Sequence, residues 1–202
     1  MNEIVITGAN GYLGSNIFNY LKKREYEVRA LIRKDSSTER LSKLQNNEII
    51  FVEDLLTDKN IKKKYPIIIH CATLYKADNN FALMEANIGY PIYVINNLLA
   101  ENGYFLNIDT SLDPKTNFYS ETKYSFKELL KSYQEYLEFK TINVQLEYFF
   151  NEHEPDNRFL KNLITACIKN EDFDLTGGDQ IRDFIYLNDV CTAMAKFLDY
   201  LP

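Results

Sequence analysis

A chain of 202 residues is long enough for one sizeable core, or for one core with a small appended lobe, and too short for two full domains. Its 46% hydrophobic and 26% charged residues lie in the ordinary globular range, which excludes disordered and fibrous classes. A net charge of −6, a pI near 5.1 and scattered lysines leave no basic patch, so nucleic acid is excluded as a partner.

The chain opens directly on a strand, with no basic leader, cleavage site or long apolar run, so neither a signal peptide nor a membrane span is expected. Cys71, Cys167 and Cys191 lack metal-type or disulfide-type spacing and fit a reducing compartment, so a cytoplasmic protein without a metal site is expected. Short apolar strands are read at 3–7, 27–32, 49–52, 67–70, 104–108 and 141–146. Amphipathic helices lie between them, most clearly over 82–100, where Ile88, Ile92, Ile95 and Leu99 recur at helical spacing. This alternation predicts an α/β fold, a Rossmann-type doubly wound parallel sheet covered on both faces. After Leu146 the pattern changes. The loop NEHEPDNR precedes a helix over 159–169, a short FDL strand, a turn at Gly177-Gly178 and the run RDFIYLNDV.

The stretch Thr7-Gly8-Ala9-Asn10-Gly11-Tyr12-Leu13-Gly14 follows a strand and opens a helix, the context that a dinucleotide-binding turn requires. Gly8 permits the tight turn, Gly11 lets the backbone approach a pyrophosphate, and Gly14 lets the helix pack close to the sheet. Residues 1–146 therefore read as a dinucleotide-binding Rossmann domain. Residues 147–202 read as the start of a smaller substrate-binding lobe, with the 181–190 segment returning to the Rossmann core.

At the end of the second strand, Arg33 lies 33 − 14 = 19 residues past the last glycine, where the residue contacting the adenosine ribose is expected. An acidic side chain there would repel a 2′-phosphate, whereas Arg33 and Lys34 attract one. NADP(H) is favoured and NAD is the alternative cofactor; a solvated surface pair is the competing reading of Arg33-Lys34. Further on, Tyr119 and Lys123 share a helix face at i, i+4, so the ammonium can lie near the phenol and make it a usable acid or base.

These pieces together resemble the extended short-chain dehydrogenase/reductase family, the NAD(P)-dependent sugar-nucleotide epimerases, dehydratases and reductases. The resemblance runs through TGANGYLG, VEDLLTD, IIHCAT, EANIGYP, NIDTS, YSETK and RDFIYLNDV, in the family's order and over almost the whole chain. It implies that Gly8, Asn10, Gly11, Tyr12, Leu13, Gly14, Arg33, Asp54, Leu55, Cys71, Ala72, Thr73 and Asn87 surround the cofactor, Asp54 at the adenine. It implies that Tyr119 exchanges a proton with the sugar and that Lys123 holds the nicotinamide ribose and lowers the tyrosine pKa. Thr110 would hydrogen-bond the reacting oxygen, with Ser111 as the reserve for that role and as a substrate contact. Asn151 and Arg182 would contact the nucleotide-sugar, Arg182 through its diphosphate; a surface ion pair with Asp179 or Asp183 is the competing reading of Arg182.

Family dehydratases carry an Asp-Glu pair immediately after the threonine, where this chain has Ser111-Leu112, so dehydration is disfavoured. The basic pair at 33–34, the short connection from Thr110 to Tyr119 and the QLEYFF stretch resemble the subgroup of CDP-abequose synthase-like 4-keto-6-deoxyhexose reductases. The expected activity is NADP(H)-dependent reduction of a CDP- or dTDP-linked 4-keto-6-deoxyhexose for O-antigen or capsule. An NAD-dependent nucleotide-sugar epimerase is one alternative. Family members continue past the RDFIY run to build the lobe gripping the nucleotide base, so a shortened C-terminal substrate lobe is expected, and a non-catalytic NADP(H)-binding module is the second alternative. Relatives have a Gly-Pro turn where this chain reads Asn151-Glu152-His153-Glu154-Pro155; His153, a single loop histidine, reads as solvent-exposed. A homodimer pairing the helices over 82–100 and 119–139 is the expected assembly.

Overall fold

Four consecutive buried residues, Ile4–Thr7, form β1 at the centre of a six-stranded sheet. A strand covered on both faces reads as a continuous apolar run rather than an alternating one, which IVIT satisfies. The computed structural model describes residues 3–57 and 63–202. Asp58 of the VEDLLTD motif lies outside the described residues.

The strands are β1 (Ile4–Thr7), β2 (Val28–Ile32), β3 (Ile49–Phe51), β4 (Tyr65–His70), β5 (Leu99–Thr110) and β6 (Lys140–Leu146), with the order β3-β2-β1-β4-β5-β6 and every ladder parallel. This is the expected doubly wound sheet. Its order reverses between β1 and β4, so the carboxyl ends of those strands, Thr7 and His70, flank the crevice where such sheets bind ligands. Helix α1 (Tyr12–Lys23) follows β1, α2 (Val52–Thr57) follows β3, and α5 (Phe118–Leu137) lies between β5 and β6. Phe126 and Leu130 of α5 join Val5, Ile68, Val94, Leu98 and Phe105 in one buried cluster.

The helix expected over 82–100 differs in detail. It is α3 (Asn80–Met84), a π-helical turn (Glu85–Gly89) and α4 (Tyr90–Leu98). Pro91 lacks the N–H that a continuous α-helix would use, and the N–H of Tyr90 reaches the Glu85 carbonyl, five residues back. Helix α4 stops at Leu98 because β5 begins at Leu99, earlier than the expected 104. The added stretch is irregular: Asn102 has a φ of 59°, and the ladder to β4 shifts register between Tyr65 and Ile67.

The chain divides into two compact units, Met1–Leu146 and Glu147–Pro202. In the second, β7 (Tyr148–Phe150) pairs in parallel with β8 (Phe184–Tyr186), and the helices are α6 (Phe159–Lys169) and α7 (Leu187–Asp199). The segment 181–190, expected to return to the Rossmann core, contributes β8, whose ladder partner is β7 of its own unit. The FDL stretch forms no strand. Asp172 and Asp174, on either side of Phe173, lie in solvent, and Phe173 sets its ring against Phe159 at 6.0 Å, so an aromatic contact replaces a ladder. Among the described residues no helix is long and apolar enough to cross a membrane.

Candidate active site

The glycine turn after β1 is locked by close backbone packing. Gly8 has a φ of +61°, a conformation L side chains rarely adopt, and a Cβ there would stand 2.8 Å from the Ala72 backbone nitrogen and Cα. Gly14 packs its Cα against the turn itself, since a Cβ would stand 2.3 Å from the Gly8 oxygen. Gly11 has ordinary extended dihedrals (φ −73°, ψ 171°), and a Cβ there would meet only the Gly8 oxygen, at 3.2 Å. It caps α1 without a side-chain hydrogen bond, and the first turn, with Tyr12, Leu13 and Gly14, holds no acidic residue. Amide donors and the positive end of a twelve-residue helix thus face the crevice beside a side-chain-free Gly11 and the neighbouring Asn10, an arrangement that fits a dinucleotide diphosphate.

At the far end of the crevice, the Arg33 side chain is 70% exposed and its nearest carboxylate is Asp35, at 3.5 Å. Lys34 behaves differently. Its ammonium pairs with Asp54 at 2.5 Å, its backbone N–H donates to Glu53 at 3.0 Å, and it lies over the Phe51 ring. The Asp54 carboxylate expected at the adenine is therefore held by a lysine, while Leu55 beside it turns its side chain into the core and accepts a hydrogen bond at its carbonyl from Tyr93.

The end of β4 is built from buried polar groups. The Ala72 N–H donates to the Thr7 hydroxyl at 3.1 Å, and that hydroxyl lies 2.8 Å from His70 Nδ1. The ring of His70 stacks on Phe105 at 5.5 Å, and burial pushes its pKa well below the usual range, so it is a neutral packing residue. Cys71 donates its N–H to the Thr7 carbonyl at 3.3 Å. Asn87, in the π-helical turn, uses its whole carboxamide. Its oxygen accepts from Thr73 Oγ1 (3.0 Å) and the Leu74 N–H (2.9 Å), and its nitrogen donates to the Leu74 carbonyl (2.9 Å) and Thr122 Oγ1 (3.0 Å). It clamps the 73–74 loop to α5.

Helix α5 starts where Asn117 caps it: the Asn117 side chain accepts from the Ser120 N–H at 2.9 Å, and Ser120 Oγ accepts from the Asn117 N–H at 3.1 Å. The cap sets the phase of the buried stripe Tyr119, Lys123, Phe126 and Leu130. Tyr119 is 8% exposed and Lys123 2%. Lys123 does not lower the tyrosine as expected from the spacing alone. Its Nζ donates to the Ile108 carbonyl at 2.7 Å, and burial brings its pKa down to about 8 against the raising influence of Asp109 and Cys71. Burial, and secondly Tyr75, hold the Tyr119 phenol above its ordinary pKa, with a hydrogen bond to Thr73 acting in the opposite direction. Desolvation outweighs the single charge one turn away, and the phenol keeps its proton.

Thr110 closes β5 partly exposed, its hydroxyl accepting from the Leu112 N–H at 3.2 Å, with Ser111 exposed beside it. In the second unit, Asn151 closes its own turn by accepting from the His153 N–H at 2.9 Å. Arg182 contacts Gln180 at 2.9 Å and Glu147 at 3.7 Å, neither of the aspartates considered as its partners. His153 is exposed, and among the described residues no three His, Cys, Asp or Glu side chains gather to hold a metal ion.

Sequence reasoning missed two residues of this region. Tyr75, 59% exposed, sets its ring 4.7 Å from that of Tyr119. Asp109 is buried on β5, immediately after Ile108, whose carbonyl holds Lys123, and its own carboxylate accepts the Thr110 N–H. No pattern in the chain marks Tyr75; a charged residue within the apolar strand 104–108 and its continuation was a usable signal for Asp109.

Compared with known proteins, the chain matches the profile of the NAD dependent epimerase/dehydratase family over residues 4–201. It is similar to CDP-abequose synthase of Salmonella typhimurium, 26% identical over 208 residues that cover 97% of this chain and 70% of that protein. Among solved structures it resembles UDP-glucuronic acid 4-epimerase from Bacillus cereus in complex with UDP-glucuronic acid and NAD, at a TM-score of 0.77 and 18% identity over 99% of this chain and 74% of that one. Helicobacter pylori ADP-L-glycero-D-manno-heptose-6-epimerase gives a TM-score of 0.78 at 17% identity, over 98% of this chain and 73% of that one. At such identities the structural likeness shows the fold.

Proposed function

The chain belongs to the NAD dependent epimerase/dehydratase family, whose members are nucleotide-sugar oxidoreductases and epimerases, and from that premise we propose that it reduces a CDP- or dTDP-linked 4-keto-6-deoxyhexose with NADPH, in the cytoplasm, as a step of O-antigen or capsule sugar synthesis. The observation that carries this reading is the buried phenol of Tyr119, kept protonated by its surroundings one helical turn from the Lys123 ammonium. A carbonyl reduction needs a proton delivered as the hydride arrives, and a phenol that holds its proton across neutral pH is suited to deliver it.

NADPH, when bound, supplies the hydride. Tyr119 gives its proton to the carbonyl oxygen, and the Thr110 hydroxyl donates a second hydrogen bond to the same oxygen. Lys123 binds the nicotinamide ribose with its ammonium. The Gly8–Gly14 turn and the start of α1 hold the diphosphate, lined by Cys71, Ala72 and Thr73. Arg33, exposed and only loosely paired, takes the 2′-phosphate, and Lys34 keeps the nearby Asp54 carboxylate neutralised. Ser111 supplies a substrate contact from the end of β5, and Asn151 and Arg182 are the substrate contacts of residues 147–202. The similarity to CDP-abequose synthase supports the substrate class, and Ser111-Leu112 following Thr110 speaks against dehydration.

The test is titration of the purified chain with NADPH and NADH, each with and without a CDP- or dTDP-4-keto-6-deoxyhexose, following nicotinamide absorbance. Sugar-dependent oxidation of NADPH, lost in Tyr119→Phe, is the expected result. Protein that purifies with bound NAD and interconverts a sugar without net oxidation would instead be an epimerase. Binding without turnover would leave a cofactor-binding module.

A further inference from the structure

Behind Tyr119 and Lys123 a polar chain that the proposed reaction does not use runs across β5 and β6, from the buried Asn107 and Asp109 to the exposed Asn143. Asn107 Nδ2 donates to Asn143 Oδ1 at 2.7 Å, and Asn143 Nδ2 donates to Asp109 Oδ2 at 2.7 Å. The same carboxylate oxygen lies 3.8 Å from Lys127 Nζ, and the other, Oδ1, accepts the Thr110 N–H at 2.9 Å. Asp109 is therefore a carboxylate with almost no exposed surface, held at one oxygen by a neighbouring strand and a helix and spent at the other on the backbone of Thr110. Burying a charge in this way is costly unless the charge is used, and a neutral residue could fill the site. The carbonyl that holds Lys123 belongs to Ile108, the residue immediately before it.

We propose that Asp109 is a positioning residue for the reaction proposed above, on which this inference rests: from beneath the site it fixes the backbone of Thr110 and supplies the counter-charge that keeps Lys123 an ammonium ion. Asn143 holds the carboxylate in that place, and Lys127, 3.8 Å away, competes with Lys123 for its charge. Lys123 is otherwise surrounded by groups that do not favour a cation. His70 comes to it from the end of β4, and Tyr119 and Lys127 share its helix. Asp109 is the larger of the two groups that support a positive charge there, ahead of Cys71. Without it the ammonium is left desolvated and neutralises, and Lys123 can no longer hold a ribose hydroxyl as a charged donor.

The test reads Lys123 itself, without cofactor or sugar. Lysine ε-carbon NMR of the cofactor-free chain, with the Lys123 signal assigned by its loss in Lys123→Met, gives the titration midpoint directly, near 8 in the unaltered chain. In Asp109→Asn the midpoint is expected to fall by about one unit or more, and NADPH affinity at pH 7.5 to fall with it, while Asp109→Glu restores most of both. Should Asp109→Asn not fold, Lys127→Met replaces it: with the competing cation gone, the Lys123 midpoint is expected to rise. An unmoved midpoint in a folded Asp109→Asn, or in Lys127→Met, overturns the proposal. Because this readout needs no turnover, a chain that proves inactive on every nucleotide-sugar refutes the proposed reaction and leaves the role of Asp109 to be judged on its own.

Discussion

The Lys123 ammonium donates to the Ile108 carbonyl at 2.7 Å rather than reaching the Tyr119 hydroxyl one turn earlier on the same helix. The pair therefore titrates in opposite senses: burial raises the phenol and lowers the ammonium to about 8. Lys123 carries its charge below pH 8 and loses it above, whereas Tyr119 stays protonated throughout the neutral range. Cofactor affinity and kcat/KM are thus expected to hold on the neutral side and to fall as pH rises through about 8, with the limb belonging to Lys123. A profile of NADPH affinity against pH without sugar checks this; affinity unchanged up to pH 10 would contradict it.

Stability is expected to move the other way. A lysine whose pKa is depressed on folding binds its proton less tightly in the folded chain, so it lowers stability wherever the unfolded chain is charged. The folded state gains as pH rises from about 8 toward the ordinary 10.5. A depression of this size corresponds to roughly 3 kcal/mol. Lys123→Met, which fills the space without a charge, is expected to raise Tm at pH 7 and to raise it much less at pH 10.5, while abolishing turnover. Thermal unfolding at the two pH values measures the difference.

Much of the fold was legible because its signals are local. Six apolar runs alternating with helices announced a parallel sheet, and β1, β2, β4 and β6 lie within two residues of their expected ends. The glycine turn was legible for the same reason, since Gly8 and Gly14 answer to backbone contacts a few residues away or across one strand. What escaped depends on distant partners. Tyr75 meets Tyr119 across 44 residues of chain, 119 − 75, and Asp109 is held by Asn143 from the next strand. The effect of Lys123 on its tyrosine was misread because i, i+4 spacing gives adjacency but not burial, and burial decides the sign here.

Asn87 illustrates the same gap, and it makes a strong prediction. Expected beside the cofactor, it satisfies four groups of the 73–74 loop and α5 with one buried carboxamide, a role its sequence did not show. Asn87→Ala takes a partner from each of those groups, and where a group in this poorly hydrated site is left unpaired the cost is about 1–3 kcal/mol. A total loss of about 3 kcal/mol or more is expected in denaturant unfolding, accompanied by weaker NADPH binding as Thr73 loosens. Asn87→Asp keeps the acceptor but not the donor and should fall between.

Arg33 is the natural place to separate the two cofactors. Its side chain is solvated and loosely paired, so it contributes little to folding, and removing it touches only what binds there. Arg33→Ala is expected to weaken NADPH binding by about 1.5–3 kcal/mol, the range for a hydrogen bond to a charged group, and to leave NADH binding and Tm unchanged. Equal loss for both cofactors would show that Arg33 meets something other than a 2′-phosphate.

Gly8 and Gly11 differ in what a methyl group would do, and the difference separates folding from binding. At Gly8 an alanine combines a φ of +61° with a contact of 2.8 Å to the Ala72 backbone, so neither the turn nor its neighbour can relax cheaply, and Gly8→Ala is expected to destabilise the whole unit. At Gly11 the dihedrals suit alanine, and the new methyl meets only one carbonyl oxygen, at 3.2 Å. Gly11→Ala should therefore cost far less Tm than Gly8→Ala, yet its methyl stands where a diphosphate would approach the amides of α1, and NADPH affinity should fall about tenfold or more, ~1.4 kcal/mol. If Gly11→Ala binds NADPH as well as the unaltered chain, the diphosphate does not rest on this turn.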